Sequence, residues 1–208
     1  QIKEVEKYDF VTIGNHSHSH EYLINYTHEE FKSDINKSTN IFKNELGYNP
    51  NLFSYPFGEY SLKQKKFIKE KFKFAFGQQS GVIDLNKDFY ELPRFPINEK
   101  YGDLDRFKFL LKLKPLEFKD ISIKDMLISE INNPPKLNIS FFRQQNNLDK
   151  INCFSNETGN WGEPQISLID REFYINFREK FKSRRGRVNC SLNDNGEWRW
   201  LGLQFTFK

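Results

Sequence analysis

Three of the chain's four histidines fall within five positions, as His16-Ser17-His18-Ser19-His20, and the fourth is His28. Imidazole is the commonest protein ligand for a divalent metal, and packing alone rarely produces so tight a cluster. The run closes the apolar segment Phe10-Val11-Thr12-Ile13-Gly14-Asn15. There Val11 and Ile13 alternate with Thr12, which predicts a short strand. In an extended chain His16, His18 and His20 share a face; in a helical turn His16 and His20 pair as i and i+4. Either way at least two imidazoles converge. The competing reading is a polar loop with accidental histidines, because a short His tract is by itself weak evidence for metal.

A second chemical segment follows at Phe53-Ser54-Tyr55-Pro56-Phe57-Gly58-Glu59-Tyr60. Taken together, Ile13-Gly14-Asn15-His16-Ser17-x-Ser19-His20 resembles the second motif of the NodB-homology polysaccharide deacetylases (carbohydrate esterase family four). The later segment resembles their third motif in its Tyr-Pro-Tyr/Phe-Gly form. The resemblance covers about residues 5 to 115. It implies that His16 and His20 are ligands of a divalent metal, usually zinc, and that His18 occupies a non-ligand slot between them. It also implies that the backbone N–H of Phe57 donates to a tetrahedral oxyanion, while Tyr55, Pro56 and Gly58 shape the substrate-binding turn. The family's third-motif Arg aligns with Ser54 here, and Arg94 in Leu92-Pro93-Arg94-Phe95-Pro96 is the candidate substitute, against an equal case for a surface Arg. The implied reaction is metal-dependent hydrolysis of N-acetyl (or O-acetyl) groups on a polysaccharide, a bond class that includes non-peptide carbon–nitrogen bonds.

Other family features have no counterpart. No Asp-Asp pair occurs in the chain, so the family's first motif, with its catalytic base and third metal ligand, is not found. The chain therefore reads as an N-terminally truncated, inactive fragment; a degenerate, glycan-binding homologue is the alternative. No histidine follows His28 to serve as the family's general acid, which leaves His18, a water or another group for that role. Asp84 and Asp88 read either as supports near Arg94 or as solvated loop carboxylates.

Around these residues the spacing predicts alternating helices and strands. Thr27-His28-Glu29-Glu30 is a capping box, and Phe31, Ile35, Phe42 and Leu46 follow helical spacing up to Gly47, a C′ residue. A strand over 52–56, a helix opened by Ser61 and carrying Phe67, Ile68 and Phe72, and a strand over 72–76 come next. An extended segment over 92–97 and a helix over 104–113 complete the first part. Strands separated by helices of this size imply parallel pairing, and in a (β/α) barrel the chemistry sits at the C-terminal strand ends. The expected fold is thus α/β: a partial (β/α) deacetylase-type barrel over 1–115, a linker over 116–136 marked by Pro134-Pro135, and a small all-β, sandwich-like domain over 137–208.

That last domain shows alternating stretches at 138–142, 150–154, 165–169, 173–177, 187–192 and 198–207. In the final one the apolar phase switches beside Gly202, which predicts a bulge. Cys153 and Cys190 both point to the core side of their strands, equally consistent with buried thiols and with a cross-strand disulfide. Trp161, Trp198 and Trp200 read as core rather than as a sugar-stacking platform by about two to one. The basic stretch 178–187 reads as a solvated turn.

Composition sets the outer bounds. With 37% hydrophobic residues, 22 of the 208 residues being Phe, the chain can form a core despite 29% charged residues. A net charge of +4 is too small to argue for a nucleic-acid partner, and no apolar run reaches membrane-spanning length. The expected partner is an acetylated polysaccharide. The cell envelope or periplasm is preferred to the cytoplasm as its compartment.

Overall fold

The computed structural model describes residues 1–208 and is mixed α/β, with several sheets and few helices. It forms two compact units, Gln1–Gly77 with Lys87–Leu92, and Gln78–Asn86 with Pro93–Lys208.

In the first unit a short helix α1 (Ile2–Val5) precedes α2 (His28–Leu46). Helix α2 starts and stops where its residue chemistry dictates. Thr27 Oγ1 accepts from the Glu30 N–H while Glu30 accepts from the Thr27 N–H at 2.8 Å, which meets two of the orphan donors of the first turn. Gly47 ends it at φ 84°, a left-handed conformation that only glycine adopts without steric cost. Strands β1 (Leu52–Ser54) and β2 (Phe74–Phe76) pair in parallel, Phe53 against Ala75. Parallel strands need a crossover, supplied here by α3 (Leu62–Lys69), which a second capping box opens through Ser61 and Gln64. Phe31, Ile35, Phe53, Ile68 and Ala75 form the centre of this unit, each at most 1% exposed. Residues 87–92 line the other edge of β2, with Leu92 N–H donating to Ala75 O and Gly77 N–H to Leu92 O.

Residues 10–15 do not become the expected strand. Only Asn15 reaches the sheet, in a single parallel bridge to Phe53, and Phe10 is 86% exposed. With pairing confined to one residue, the alternation of Val11 and Ile13 has no ladder to join.

The second unit holds α4 (Leu104–Lys112), capped by Asp103, and nine strands: β3 (Lys114–Pro115), β4 (Asp120–Ile121), β5 (Leu127–Ile128), β6 (Leu137–Ser140), β7 (Asn152–Ser155), β8 (Gln165–Ile169), β9 (Glu172–Asn176), β10 (Arg185–Asp194) and β11 (Glu197–Phe207). One sheet runs β3-β11-β10-β7 with β5 also on β11; the other runs β4-β6-β9-β8. Ile139, Phe173 and Ile175 from one sheet and Val188, Leu192 and Phe205 from the other fill a single core. The stretch 116–136, which reads as a linker, carries β4 and β5 and buries Leu116, Ile121 and Ile128 in that core. Its apolar residues are too few and too irregularly spaced to reveal two-residue strands.

The long β10–β11 hairpin turns on Asn195 (φ 54°) and Gly196 (φ 93°), two successive left-handed residues that match a type I′ turn. Its register is continuous from Arg185 opposite Thr206 to Asp194 opposite Glu197, so the bulge expected at Gly202 is absent. Residues 202–206 are all buried, which removes the need to rotate one apolar phase into the core. Gly202 serves close approach instead: a Cβ there would lie 1.8 Å from the Ser80 carbonyl oxygen.

Cys153 on β7 and Cys190 on β10 face one another directly and form a disulfide, which resolves the two readings of the cysteines. Trp161 is 52% and Trp198 39% exposed, whereas Trp200 is half-buried with its ring edge-on to Phe95. Neither wholly core nor a shared platform, they split by position. No helix is long and apolar enough to cross a membrane.

All three tryptophans lie in the second unit, so their fluorescence reports on it alone. Cys153→Ala/Cys190→Ala, which opens a cross-link spanning 37 positions, should lower that unit's stability by about 2–4 kcal/mol in urea unfolding followed by Trp emission.

Candidate functional site

The histidine loop lies between the end of the 10–15 segment and α2, and it is held almost entirely by polar groups. Asn15 N–H donates to Leu52 O (2.8 Å), and Ser54 N–H donates to Asn15 O (2.9 Å), which places the next residue, His16, at the end of β1. The Asn15 side chain is 1% exposed. Its Nδ2 donates to Ser38 Oγ at 2.9 Å, and its Oδ1 accepts from the Ser17 N–H at 2.9 Å. Ser17 (φ 71°) and His20 (φ 53°) are both left-handed, a conformation that costs a non-glycine residue roughly 1–2 kcal/mol. Local bonds oppose that cost: Ser17 Oγ accepts from the His20 N–H at 3.0 Å, and Asp34 accepts from the His18 and Ser19 N–H groups.

Within this loop His16 and His20 come together, ring centroids 4.7 Å apart and nearly edge-on at 69°. The Nδ1 of His16 lies 2.7 Å from Ser54 O. A carbonyl oxygen only accepts, so Nδ1 donates to it, which leaves Nε2 as the nitrogen not committed to Ser54. Ser54 thereby orients a histidine through its backbone carbonyl. His28 is elsewhere: it is the first residue of α2, edge-on to Phe67, and partial burial, with Lys63 and Lys32 nearby, holds its pKa below the ordinary value. No group of three or more His, Cys, Asp or Glu side chains comes together in a way that could hold a metal. What the structure brings together is one pair of imidazoles, His16 and His20.

Beside the pair is the Pro56–Gly58 turn. Phe57 (φ 59°) and Gly58 (φ 68°) are consecutive left-handed residues. Gly58 N–H donates to Tyr55 O, and Glu59 N–H to Pro56 O. The Phe57 ring stacks on Tyr22 at 4.3 Å and lies edge-on to His20 at 5.0 Å. Tyr55 anchors the turn from below: it is 1% exposed, its N–H donates to Phe76 O, and its hydroxyl donates to Tyr90 O at 3.1 Å. Burial first, and the acidic groups of Asp88 and Glu91 next, push the Tyr55 phenol well above its ordinary pKa, so it remains a donor. Next to it Tyr60 donates to Glu91, and Lys65 bridges Asp88 (2.9 Å) and Glu91 (2.6 Å). Burial lowers the Lys65 pKa, but Glu91 and Asp88 more than offset it and hold the ammonium above its usual value.

His16, His20, Tyr55, Pro56, Phe57 and Gly58 thus belong to one constellation in the first unit. Arg94 belongs to the second unit, where it is exposed and its N–H donates to Gln79 O. Asp84 and Asp88 are engaged locally, Asp84 with the Asn86 N–H and Asp88 with the Tyr90 N–H and Lys65. Asp34 and Ser38 were missed in the sequence, although a signal was there: with Phe31 and Ile35 they complete an i, i+3, i+4, i+7 stripe on α2. Polar residues in a buried stripe have partners to satisfy.

Residues 1–71, about a third of the chain, match the polysaccharide deacetylase family. The matched segment takes in the histidine loop, α2, β1, the Pro56–Gly58 turn and α3. No curated protein matches the chain.

Gly58→Val should destabilise the first unit by about 1–3 kcal/mol, because a β-branched residue is strained at this φ. Phe57→Tyr, which keeps the backbone and the Tyr22 stack, should change stability by less than about 0.5 kcal/mol. Far-UV circular dichroism during urea unfolding measures both.

Proposed function

With the match of residues 1–71 to polysaccharide deacetylases as premise, we propose that the first unit carries part of the active site of a metal-dependent carbohydrate deacetylase. The reaction is hydrolysis of an N-acetyl (or O-acetyl) group on a polysaccharide, with release of acetate. The observation that carries this reading is the His16–His20 pair, its Nδ1–H committed to Ser54 O and its rings beside the left-handed Phe57 turn. His16 and His20 would hold the divalent metal, zinc being the first choice for imidazole donors. Such a metal supplies a bound water of lowered pKa and polarises the acetyl carbonyl.

The chain's own residues do the rest. Ser54 O fixes the ring of His16, and Asn15 fixes where that ring starts. The backbone N–H of Phe57 donates to the oxyanion as the acetyl carbon becomes tetrahedral, a task that needs backbone and no particular side chain. Tyr55, Pro56 and Gly58 aim it and line the approach for substrate. The parallel β1–α3–β2 unit supports reading this part as a piece of a (β/α) barrel, and the two sheets around one core support a sandwich-like reading of the second unit.

A second reading has an observation in its favour: no third His, Cys, Asp or Glu side chain accompanies the pair. On that reading the chain binds acetylated glycan without turning it over.

Isothermal titration of the 208-residue chain with zinc should give weak binding that His16→Ala or His20→Ala abolishes and His18→Ala preserves. Loss in the His18 variant alone overturns the assignment. Acetate release from an N-acetylated oligosaccharide separates the two readings. Chelator-sensitive release by the parent chain, lost in its His16→Ala/His20→Ala form, supports the deacetylase reading. Binding of the oligosaccharide with no release by the parent chain establishes the second reading.

A further inference from the structure

The histidine loop has no secondary structure of its own, yet two of its residues are held left-handed and its two outer rings are held together. Something must over-determine it. Asp34 is 8% exposed on the inner face of α2, in the stripe with Phe31, Ile35 and Ser38. Its Oδ1 accepts from the His18 N–H at 2.9 Å and its Oδ2 from the Ser19 N–H at 3.1 Å. These are two successive amides between the two rings of the pair, so both carboxylate oxygens are used on the backbone that separates His16 from His20. Backbone N–H bonds to a carboxylate are shorter and stronger than those to a neutral acceptor.

We propose that Asp34 is the positioning residue that pre-forms the His16–His20 pair, and that it does so from its place on α2, by accepting the backbone hydrogen bonds that His18 and Ser19 donate. The proposal rests on the metal-site reading above for its functional consequence, but its structural content stands on the loop alone. The chemistry demands a carboxylate. An amide at this place offers one acceptor oxygen and turns an NH₂ donor toward the other N–H, so one bond becomes a donor–donor clash. An alanine leaves both amides without partners. Ser17 Oγ, which accepts from the His20 N–H, cannot replace either bond, because it engages a different amide.

The test uses the 208-residue chain, with residue-resolved amide hydrogen exchange by NMR and zinc titration calorimetry on the same samples. Asp34→Ala should speed exchange at both His18 and Ser19 by more than about tenfold while the amides of β1 and α3 keep their protection. Asp34→Asn, nearly isosteric and able to fold where alanine fails, should speed one of the two and leave the other. Zinc affinity should fall by roughly 10- to 100-fold in the alanine variant, the range seen when a group that orients a ligand is lost, and by less in the asparagine variant. Unchanged exchange at His18 and Ser19 overturns the proposal. Faster local exchange with zinc affinity intact also overturns it, since the pair then does not depend on this anchor. If the parent chain binds no zinc at His16 and His20, the metal reading fails by itself, and the exchange pattern alone upholds or overturns the role of Asp34.

Discussion

A buried amide must find partners for its donors and acceptors, and Asn15 finds them in three parts of the first unit at once. Its backbone joins β1 on both sides of Phe53, its Nδ2 reaches Ser38 on α2, and its Oδ1 takes the N–H of Ser17 in the loop that follows. Ser38 in turn gives its own proton to Ile35 O within α2. Leaving one of these buried groups unmet costs about 1–3 kcal/mol, so strand end, helix and loop are tied to one geometry. His16 inherits that geometry. Its ring meets Ser54 O because Asn15 has already paired with the residues on either side of Phe53.

The Pro56–Gly58 turn depends on the same logic carried out with aromatic rings. Two successive left-handed residues, one of them Phe57, are unfavourable on their own. They persist because both flanks are fixed: Tyr55 is buried and bonded to Phe76 and Tyr90, and the Phe57 ring is stacked on Tyr22. The Lys65–Asp88–Glu91 cluster adds a third constraint from α3, through Tyr60. Strain at a turn and a dense set of partners around it are what a pre-organised site requires, since a donor aimed before the reaction needs no reorganisation during it.

How far the sequence revealed this arrangement follows from the kind of physics at each place. Helix α2 was legible to the residue, because Thr27, Glu30 and Gly47 are local signals whose partners lie within one turn. The β10–β11 hairpin was legible for the same reason, its Asn195-Gly196 turn demanding two positive φ values. The convergence of His16 with His20 was legible from spacing, whereas the identity of what holds them was not. Asp34 lies in a different element from the amides it binds, and nothing in a linear pattern says that a carboxylate will face a loop so many residues earlier. Residues 10–15 failed for the opposite reason: the alternation was real, but alternation predicts a strand only where a neighbour exists to pair with. At Gly202 a true anomaly in the apolar phase had a different cause, the Ser80 backbone lying against it, because close approach and a bulge leave the same mark in sequence.

Apolar burial and directed polar contacts serve different ends in this chain, as its two units illustrate. The second relies on an apolar core from two sheets, a ten-pair hairpin and a cross-strand disulfide. All of these tolerate exchange of surface residues and none aims a particular polar atom. The first has an apolar core of its own around Phe31, Ile35, Phe53 and Ile68, and next to its histidine loop it buries the polar groups of Asn15, Asp34 and Ser38. Polar anchors add less net stability than apolar burial of the same volume, but they are directional. They fix which atom faces which, and an apolar core does not. The histidine loop, with Ser17 and His20 both held left-handed, needs that directional control. Asn15 and Asp34 meet it from two sides, one fixing the strand end where His16 begins and the other the two amides between His16 and His20.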